Sequence, residues 1–373
     1  MENRAPRQYY LDWLRVIAIL VVFLYHCSRF FDSDYWHVKN HDTAFTADLL
    51  QFIVIEWMMP LFFFISGAST WYALQAKAAG KFAKDRIKRI FVPLLFGIFI
   101  LSPHQVYLER LTHGQFQGSF IGFLPHYFDG WYAFGGNFAW MGLHCWYLLL
   151  LLLFSFGTLP LLLAIKKRRQ RASPVPAISS LLYPLTALLL LSLPAFFLPP
   201  DRFPGSRLWG GWSLFEHLVL FLLGYYAFSR QEITATWSRY RYVWLTATIL
   251  LTALNLFLAI RHIMFEFQTA GYFGKILLRA AVCLAWIFTL MGFAEKKLNY
   301  TNATLRYTNE AVLPFYILHQ PVIILVGYFV IQWHAQPGPK FLVIVVWSFS
   351  IVAALYAFVV KRNKGLRYLH GMA

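Results

Sequence analysis

The chain has 373 residues, of which 59% are hydrophobic and 13% are charged, and its formal net charge is +17. Soluble domains contain about 25% charged residues, so this composition excludes a soluble globular enzyme and a disordered chain. It favours a membrane protein whose Lys and Arg residues concentrate in the cytoplasmic loops. The three cysteines lie within apolar runs, which argues against a disulfide framework and against a zinc ribbon.

A membrane-spanning helix needs about 20 predominantly apolar residues. Runs of this kind recur along the whole chain, so we predict an all-α, polytopic integral membrane protein with about ten transmembrane helices. Because the sequence shows no internal repeat and no change of composition, we predict one transmembrane domain over residues 1–373. The predicted spans are residues 10–30, 48–73, 90–108, 140–165, 178–198, 212–229, 242–260, 273–294, 309–332 and 341–360.

Basic residues indicate the orientation. The blocks Lys84–Arg89 and Lys166–Arg171 are separated by two predicted spans and therefore lie on the same side of the membrane. Because cytoplasmic loops carry an excess of Lys and Arg, we place both blocks and both termini in the cytoplasm. Segments 31–47 and 109–139 then lie on the outer side.

The first span contains two ionisable residues, which are costly in a membrane unless they face a polar cavity. Arg15 and His26 are eleven residues apart, which brings them within about 20° of one helix face and about 16 Å apart along the axis. Arg15 is expected near the cytoplasmic entrance and His26 in the outer half. Asp12 precedes Arg15 by three residues and can pair with it. The alternative is that Arg15 snorkels to the headgroups and His26 is an interhelical hydrogen-bonding residue.

Three further arginines stand out. Arg86 and Arg89 lie at the cytoplasmic start of the third span, three residues apart on one helix face, where two guanidinium groups could clamp phosphates. A positive-inside signal explains the same pair without a ligand. Arg279 lies within the eighth span and could snorkel outward or pair with Glu266.

Other polar residues lie in later spans. His144 opens the fourth span from the outer side, two residues before Trp146. The ninth span holds Glu310 near its inner end and His319 about 13 Å further along the helix axis. Both histidines are candidate functional residues because they lie in apolar surroundings.

The outer segments 31–47 and 109–139 combine aromatic rings with amide, carboxylate and imidazole groups. Trp36 and His37 lie in the first segment, and Trp131 and Tyr132 in the second. Such groups bind carbohydrate by ring stacking and hydrogen bonds. An interfacial aromatic belt would explain the same residues without a ligand.

The sequence lacks the motifs that define several enzyme classes. The sequence contains no HExxH, CxxC, GxSxG, GxGxxG or P-loop lysine pattern, which argues against metalloprotease, thioredoxin-like, serine-hydrolase and nucleotide-driven activities. Neither His26-Cys27 nor His144-Cys145 suits zinc, because adjacent side chains on a helix point about 100° apart. We therefore predict no metal site.

Four motifs in this order resemble the acyltransferase-3 membrane family: Arg15-x10-His26, Arg86-x-x-Arg89, Phe-Phe-Ile-Ser-Gly at 63–67, and Leu-His-x-Pro at 318–321. The resemblance covers most of the chain and implies a core of ten membrane helices. The sequence is most similar to members that succinylate osmoregulated periplasmic glucans. The matches that support this are Tyr-Leu-Asp at 10–12, Tyr-Trp-His-Val at 35–38, His-x-Trp-Tyr-Leu-Leu at 144–149 and residues 309–321.

One feature departs from the family. Many sugar O-acetyltransferases carry Trp-Ser-Leu-x-x-Glu in the fourth span, whereas this chain has Trp-Tyr-Leu-Leu at 146–149, so no catalytic carboxylate is expected there.

The resemblance implies a bacterial inner-membrane O-acyltransferase that moves an acyl group, in this case succinyl, from cytoplasmic acyl-CoA to a hydroxyl of a periplasmic glucan. Acyl-CoA (succinyl-CoA or acetyl-CoA) is the donor substrate, and no cofactor is permanently bound. The expected partners are the carbohydrate acceptor and the lipid bilayer but no nucleic acid, with homo-oligomerisation left open. The alternatives are O-acetylation of another cell-surface polysaccharide and secondary transport of sugar-linked or organic-acid substrates, although the paired halves of many transporters are not evident.

The candidate site residues fall into three groups. His26 would take the hydroxyl proton and return it to the leaving thiolate, with His144 and His319 supporting the hydroxyl or the oxyanion. Donor phosphates would be bound by Arg15, Arg86 and Arg89. The predicted substrate-binding residues are Asp12, Trp36, His37, Trp146, Glu310 and Arg279, the last as partner of the succinyl carboxylate.

Overall fold

The computed structural model describes residues 7–171, 177–203 and 205–372. Within these ranges the regular structure is helical, and only two isolated β-bridges occur, Trp131 with Phe138 and Trp209 with Trp212. The predicted all-α, polytopic membrane fold is confirmed.

The helices follow the apolar runs of the sequence. In chain order they are α1 (Tyr9–Ser28), α2 (Phe45–Ile55), α3 (Met58–Ala76), α4 (Ala79–Arg86), α5 (Val92–Phe96), α6 (Ser102–Thr112), α7 (Phe120–Phe123), α8 (Trp146–Gly157), α9 (Leu159–Arg171), α10 (Ala177–Phe197), α11 (Leu214–Phe228), α12 (Gln231–Arg239), α13 (Arg241–Ile260), α14 (Ala270–Lys297), α15 (Ala303–Val330), α16 (Pro337–Ala354) and α17 (Lys364–Leu369). Wider π-helical turns occupy Ile87–Phe91, Gly97–Leu101 and Leu355–Val360.

The helices agree with the predicted spans in position but not always in length. Seven helical stretches in the described part of the chain are long and apolar enough to cross a membrane, and the pair Leu143–Gly157 and Leu159–Arg171, bent by 57°, adds an eighth if it is counted as one span. The fifth and sixth predicted spans correspond to the shorter apolar helices Leu182–Phe197 and Leu214–Phe228. Ten crossings with both termini inside therefore stay a prediction.

Two of the long helices are interrupted at identifiable residues. Glu56 and Trp57 separate α2 from α3, and Pro60 lies in the first turn of α3, where its missing N–H would be unpaired in any case. Pro160 likewise lies in the first turn of α9, directly after the bend. Helix breaks at membrane depth are tolerated where polar groups satisfy the freed backbone.

Chain contacts divide the protein into two compact units. The first comprises the described residues of Met1–Ala18, Phe52–Phe82 and Leu153–Arg306, and the second comprises Ile19–Gln51, Ala83–Leu152 and the described residues of Tyr307–Ala373. Each unit combines stretches that are distant in the sequence, and α1 belongs partly to both units. The two units therefore do not follow one another along the chain. The prediction of one domain stays open.

Within the first unit, α3 and α11 pack closely through two glycines. A Cβ atom on Gly67 would overlap the backbone carbonyl of Phe221, and a Cβ atom on Gly224 would overlap that of Phe64. Small residues at such crossings let helix backbones approach closely in membranes. Gly67 is the glycine of the Phe-Phe-Ile-Ser-Gly motif, and the structure gives it a packing role.

Within the second unit, the predicted outer segment 109–139 folds around its own small core. Val106, Phe123, Tyr127 and Ala139 are buried together, and the Tyr127 hydroxyl donates to the Ile98 carbonyl at 2.7 Å. This packing holds the segment in an ordered form against α6. Tyr132 of the segment is thereby placed within hydrogen-bond distance of Glu109 in α6.

Candidate active site

Three histidines meet inside the second unit. His26 comes from the last turns of α1, His144 from the 3-10 turn Leu143–Cys145, and His319 from the middle of α15. The ring centroid of His319 lies 5.2 Å from that of His26 and 5.2 Å from that of His144. The structure thus brings together the three residues predicted to be catalytic, from stretches up to 293 positions apart in the sequence.

Backbone carbonyls fix the ring tautomers of two of these histidines. His319 Nδ1 lies 2.5 Å from the Tyr316 carbonyl oxygen, and His144 Nε2 lies 3.0 Å from that of Ile317. Because a carbonyl oxygen only accepts, these nitrogens carry the protons, and the other nitrogen of each neutral ring presents a lone pair.

Three nitrogens of these rings have no hydrogen-bond partner among the described residues. His319 Nε2, His144 Nδ1 and His26 Nδ1 are buried without a hydrogen bond to any described residue. A buried polar atom without a partner costs about 1–3 kcal/mol. Three of them in one cluster are typical of a site arranged for a ligand rather than for stability.

Trp36 covers one side of this cluster. Its ring stacks on His26 with a centroid distance of 6.1 Å and an interplanar angle of 19°, and it meets the edge of Phe30 at 4.8 Å. The side chain is buried, so Trp36 packs against the histidines and does not present a free face for a sugar. His37 follows it with a ring centroid at 5.6 Å and keeps a partly exposed edge.

A buried carboxylate that the sequence analysis did not identify lies beside His37. Glu109, near the end of α6, accepts from Tyr35 at 2.9 Å, Tyr132 at 2.6 Å and Arg110 at 3.3 Å, and it also binds His37 Nδ1. A lone carboxylate at the end of an apolar run gives no periodic signal. Only its place next to Arg110, at the start of the aromatic segment 109–139, could have drawn attention to it.

The two tyrosines act as hydrogen-bond donors to this carboxylate. Burial, followed by the negative charge of Glu109, raises the pKa of Tyr35 to about 12. The same causes raise the pKa of Tyr132 further. Both phenols therefore stay protonated at neutral pH, and each donates its proton to an oxygen of Glu109.

Two buried glutamines continue this polar chain. Gln320 Nε2 lies 3.4 Å from His37 Nε2 and donates to Gln105 Oε1 at 3.2 Å. Gln320 follows His319 directly in α15. Polar side chains thus run continuously from Glu109 through His37 to the residue beside the histidine cluster.

Arg15 and Asp12 form their predicted pair in the first unit. Arg15 Nη1 lies 2.6 Å from Asp12 Oδ1, and Arg15 Nη2 donates to the Ser69 hydroxyl. Arg7 binds the other oxygen of Asp12 at 2.8 Å. Asp12 is therefore held by two guanidinium groups, which suits orientation of Arg15 better than direct contact with a substrate.

Arg86 and Arg89 lie in the second unit, on either side of a change in helix geometry. Arg86 ends α4, whereas Arg89 is exposed within the π-helical turn Ile87–Phe91. Because a π turn is wider than an α turn, the two side chains diverge more than their spacing of three predicts.

Two other predicted substrate-binding residues, Glu310 and Trp146, lie in α15 and α8. Glu310 pairs with Arg367 at 3.2 Å and with Lys361 at 3.6 Å, both near the C-terminus. Nine residues of α15 separate it from His319, about 13 Å along the axis. Trp146 begins α8 two residues after His144 and is half-buried.

Arg279 has a different partner from the one the sequence offered. It binds Glu56 at 2.8 Å, donates to the Gly211 carbonyl at 2.5 Å and lies 4.2 Å above the Trp212 ring, all within the first unit. The alternative pairing with Glu266 is wrong, because Glu266 is exposed while the break after α2 brings Glu56 to the arginine. A succinyl carboxylate at Arg279 would have to share it with Glu56.

Among the described residues no three His, Cys, Asp or Glu side chains are arranged to hold a metal ion. Cys27, Cys145 and Cys283 are free and buried.

Comparison with known proteins identifies the family of the chain. Residues 8–360 match the acyltransferase-3 family, described as an acyltransferase domain, which confirms the resemblance seen in the motifs. Proteins called glucans biosynthesis protein C from Salmonella paratyphi B, Salmonella dublin and Salmonella enteritidis are each 21% identical over 366 residues, covering 94% of this chain and 91% of the relative. No solved structure matches the chain.

Proposed function

Because this chain belongs to the acyltransferase-3 family, we propose that it is an inner-membrane O-acyltransferase that transfers a succinyl group from cytoplasmic acyl-CoA to a hydroxyl of a periplasmic glucan. The observation that carries the proposal is the cluster of His26, His144 and His319, with three buried ring nitrogens that have no partner among the described residues. Acyl transfer to a hydroxyl requires groups that move protons and stabilise an oxyanion, which imidazoles do near neutral pH.

His26 is the proposed centre of the transfer. Among the three histidines His26 is the residue that is partly exposed, whereas His144 and His319 are buried, so His26 is the one proposed to meet the substrates. His26 exchanges protons with the reacting groups in a direct transfer, or carries the acyl group briefly in a two-step reaction. His144 and His319 support the reacting oxygen from the sides.

Arginines are the proposed ligands of the donor phosphates. A guanidinium group binds phosphate through two parallel hydrogen bonds and stays charged at all relevant pH values. Arg15 is partly exposed and is oriented by Asp12, while Arg89 is exposed. The pantetheine arm of the donor is long and largely uncharged, so it can enter the membrane while the phosphates stay at the cytoplasmic face.

Replacing Arg15, Arg86 or Arg89 by Ala should weaken acyl-CoA binding by about 1.5–3 kcal/mol each, the scale of a hydrogen bond to a charged group. Donor affinity measured by calorimetry on the purified protein checks this. Arg168→Ala, in the basic block at the end of α9, is the control that tests general loss of positive charge. Equal losses in all four variants would leave only a non-specific electrostatic effect.

Two observations support a glucan as the acceptor. The printed name of the relatives refers to glucan biosynthesis. The ordered segment 109–139 also exposes Trp131 on the predicted outer side, with more than half of its surface accessible. A flat exposed ring of this kind can stack on a sugar.

The decisive experiment measures thiol release from succinyl-CoA and from acetyl-CoA by the purified protein, with and without a β-linked gluco-oligosaccharide. We expect acceptor-dependent thiol release that is faster with succinyl-CoA, together with ester formation on the sugar. A preference for acetyl-CoA would replace succinylation by O-acetylation. No thiol release with either donor, combined with substrate uptake in proteoliposomes, would favour secondary transport.

A further inference from the structure

His37 is held in one defined tautomer by its neighbours. Its Nδ1 contacts Glu109 Oε2, and a carboxylate oxygen only accepts, so Nδ1 carries the proton. Its Nε2 lies 3.4 Å from the amide nitrogen of Gln320, which only donates. Nε2 therefore presents a lone pair, which accepts this long contact from Gln320 until a substrate hydroxyl takes its place.

The group that sets this tautomer is itself firmly fixed. The side chain of Glu109 is 2% exposed, and Tyr35, Tyr132 and Arg110 donate to its two oxygens. Tyr132 also lies 3.2 Å from His37 Nδ1, so its hydroxyl braces both members of the pair. A carboxylate with so many donors stays ionised and holds the imidazole in place.

The position of His37 is suited to a reaction at the histidine cluster. Trp36, its neighbour in the chain, stacks on His26, and Gln320, its contact across the unit, is next to His319. The side chain of His37 is 12% exposed, so a small group such as a sugar hydroxyl can reach its edge. His37 thus lies between the predicted outer surface and the three rings.

We propose that His37 is the base that takes the proton of the acceptor hydroxyl, with Glu109 and Tyr132 as positioning residues. This inference rests on the proposed function and assigns to the acceptor side a histidine distinct from His26. The hydroxyl oxygen forms the ester bond with the acyl carbon while its proton moves to His37 Nε2. The carbon–sulfur bond of the thioester breaks, and its electron pair leaves with the thiolate, which takes a proton from His26. His37 then releases its proton to solvent, and His26 regains one from solvent.

Hydroxylamine, used as the acyl acceptor in place of the sugar, distinguishes a catalytic base from a structural residue. It is an uncharged nucleophile at neutral pH and attacks an acyl group without help from a base. In the presence of succinyl-CoA, His37→Ala and His37→Gln should lower ester formation on a β-linked gluco-oligosaccharide by about 10²–10⁴-fold. After subtraction of the spontaneous reaction of hydroxylamine with succinyl-CoA, both variants should form the hydroxamate close to the wild-type rate, whereas His26→Ala should lose the protein-dependent formation of both products.

Glu109→Gln tests the positioning role. A carboxamide can donate to Nδ1, which would move the proton to Nε2 and block it as a base. We expect a lower kcat with the sugar, little change in its KM, and unchanged hydroxamate formation. Glu109→Asp should restore part of the kcat. Tyr35→Phe removes a donor only from the oxygen of Glu109 that does not contact His37, so it should lower the kcat less than Glu109→Gln does.

The results distinguish the role of His37 as a base, the positioning role of Glu109 and the proposed function. Ester formation that survives in both His37 variants, or hydroxamate formation that is lost together with the ester in both, overturns the role of His37 as a base. A lower kcat in Glu109→Gln without a change in hydroxamate supports the positioning role, and an unchanged kcat removes it. A wild-type protein that forms neither ester nor hydroxamate refutes the proposed function itself.

Discussion

Replacing His26 by Ala is expected to lower acyl transfer by at least about 10²–10⁴-fold, the effect of removing a general acid–base residue. His26 is the accessible member of the cluster, and its ring lies 5.2 Å from that of His319 and is stacked by Trp36. Its loss would remove the imidazole that is proposed to exchange protons with the reacting groups. The initial rate of succinyl transfer to a β-linked gluco-oligosaccharide measures the effect.

A second buried histidine provides the control for this measurement. His370, at the end of α17, is also buried in the second unit and also has a ring nitrogen without a partner among the described residues. It packs against Phe96, at a centroid distance of 5.0 Å, and not against the three-histidine cluster. His370→Ala should therefore keep most of the activity. If His26→Ala turns over as fast as His370→Ala, His26 is an interhelical packing residue.

Arg279→Gln is expected to destabilise the protein by about 3–5 kcal/mol, because it leaves the buried carboxylate of Glu56 without its ionic partner. Both side chains are at most 10% exposed, and the guanidinium also binds the Gly211 carbonyl and lies over Trp212. The variant thus loosens the helix break after α2 together with the loop before α11. The free energy of unfolding in mixed micelles measures the loss.

Two further variants make this prediction specific. Glu56→Gln combined with Arg279→Gln removes both charges and should be less destabilised than the sum of the single variants, since no buried charge remains. Arg202→Gln breaks an ion pair with Asp201 in which both side chains are at least 70% exposed, and it should leave stability unchanged. Additive losses in the double variant would show that Glu56 and Arg279 do not stabilise each other.

The histidine cluster could be predicted from the sequence because each member interrupts an apolar run. His26, His144 and His319 are costly in lipid, so their presence in three separate runs suggested a shared polar site. The sequence could not give their ring distances or tautomers, which depend on the backbone carbonyls of Tyr316 and Ile317.

Residues whose roles depend on irregular backbone were harder to predict. The partner of Arg279 follows from the break at Glu56 and Trp57, which a continuous apolar run conceals. The divergence of Arg86 and Arg89 follows from a π turn that has no sequence signature of its own. Glu109 was missed because its importance comes from donors in three separate segments, and only the folded chain assembles them.

Because α3 and α11 cross closely at Gly67, the motif at 63–67 indicates helix packing. Gly67 meets the backbone at Phe221, and no reacting group is part of that contact. A related chain could keep this glycine and the helix architecture while lacking a histidine at the position of His26. On the proposed mechanism such a chain would be a non-catalytic relative, so the glycine motif identifies the scaffold, whereas the histidines would identify an active transferase.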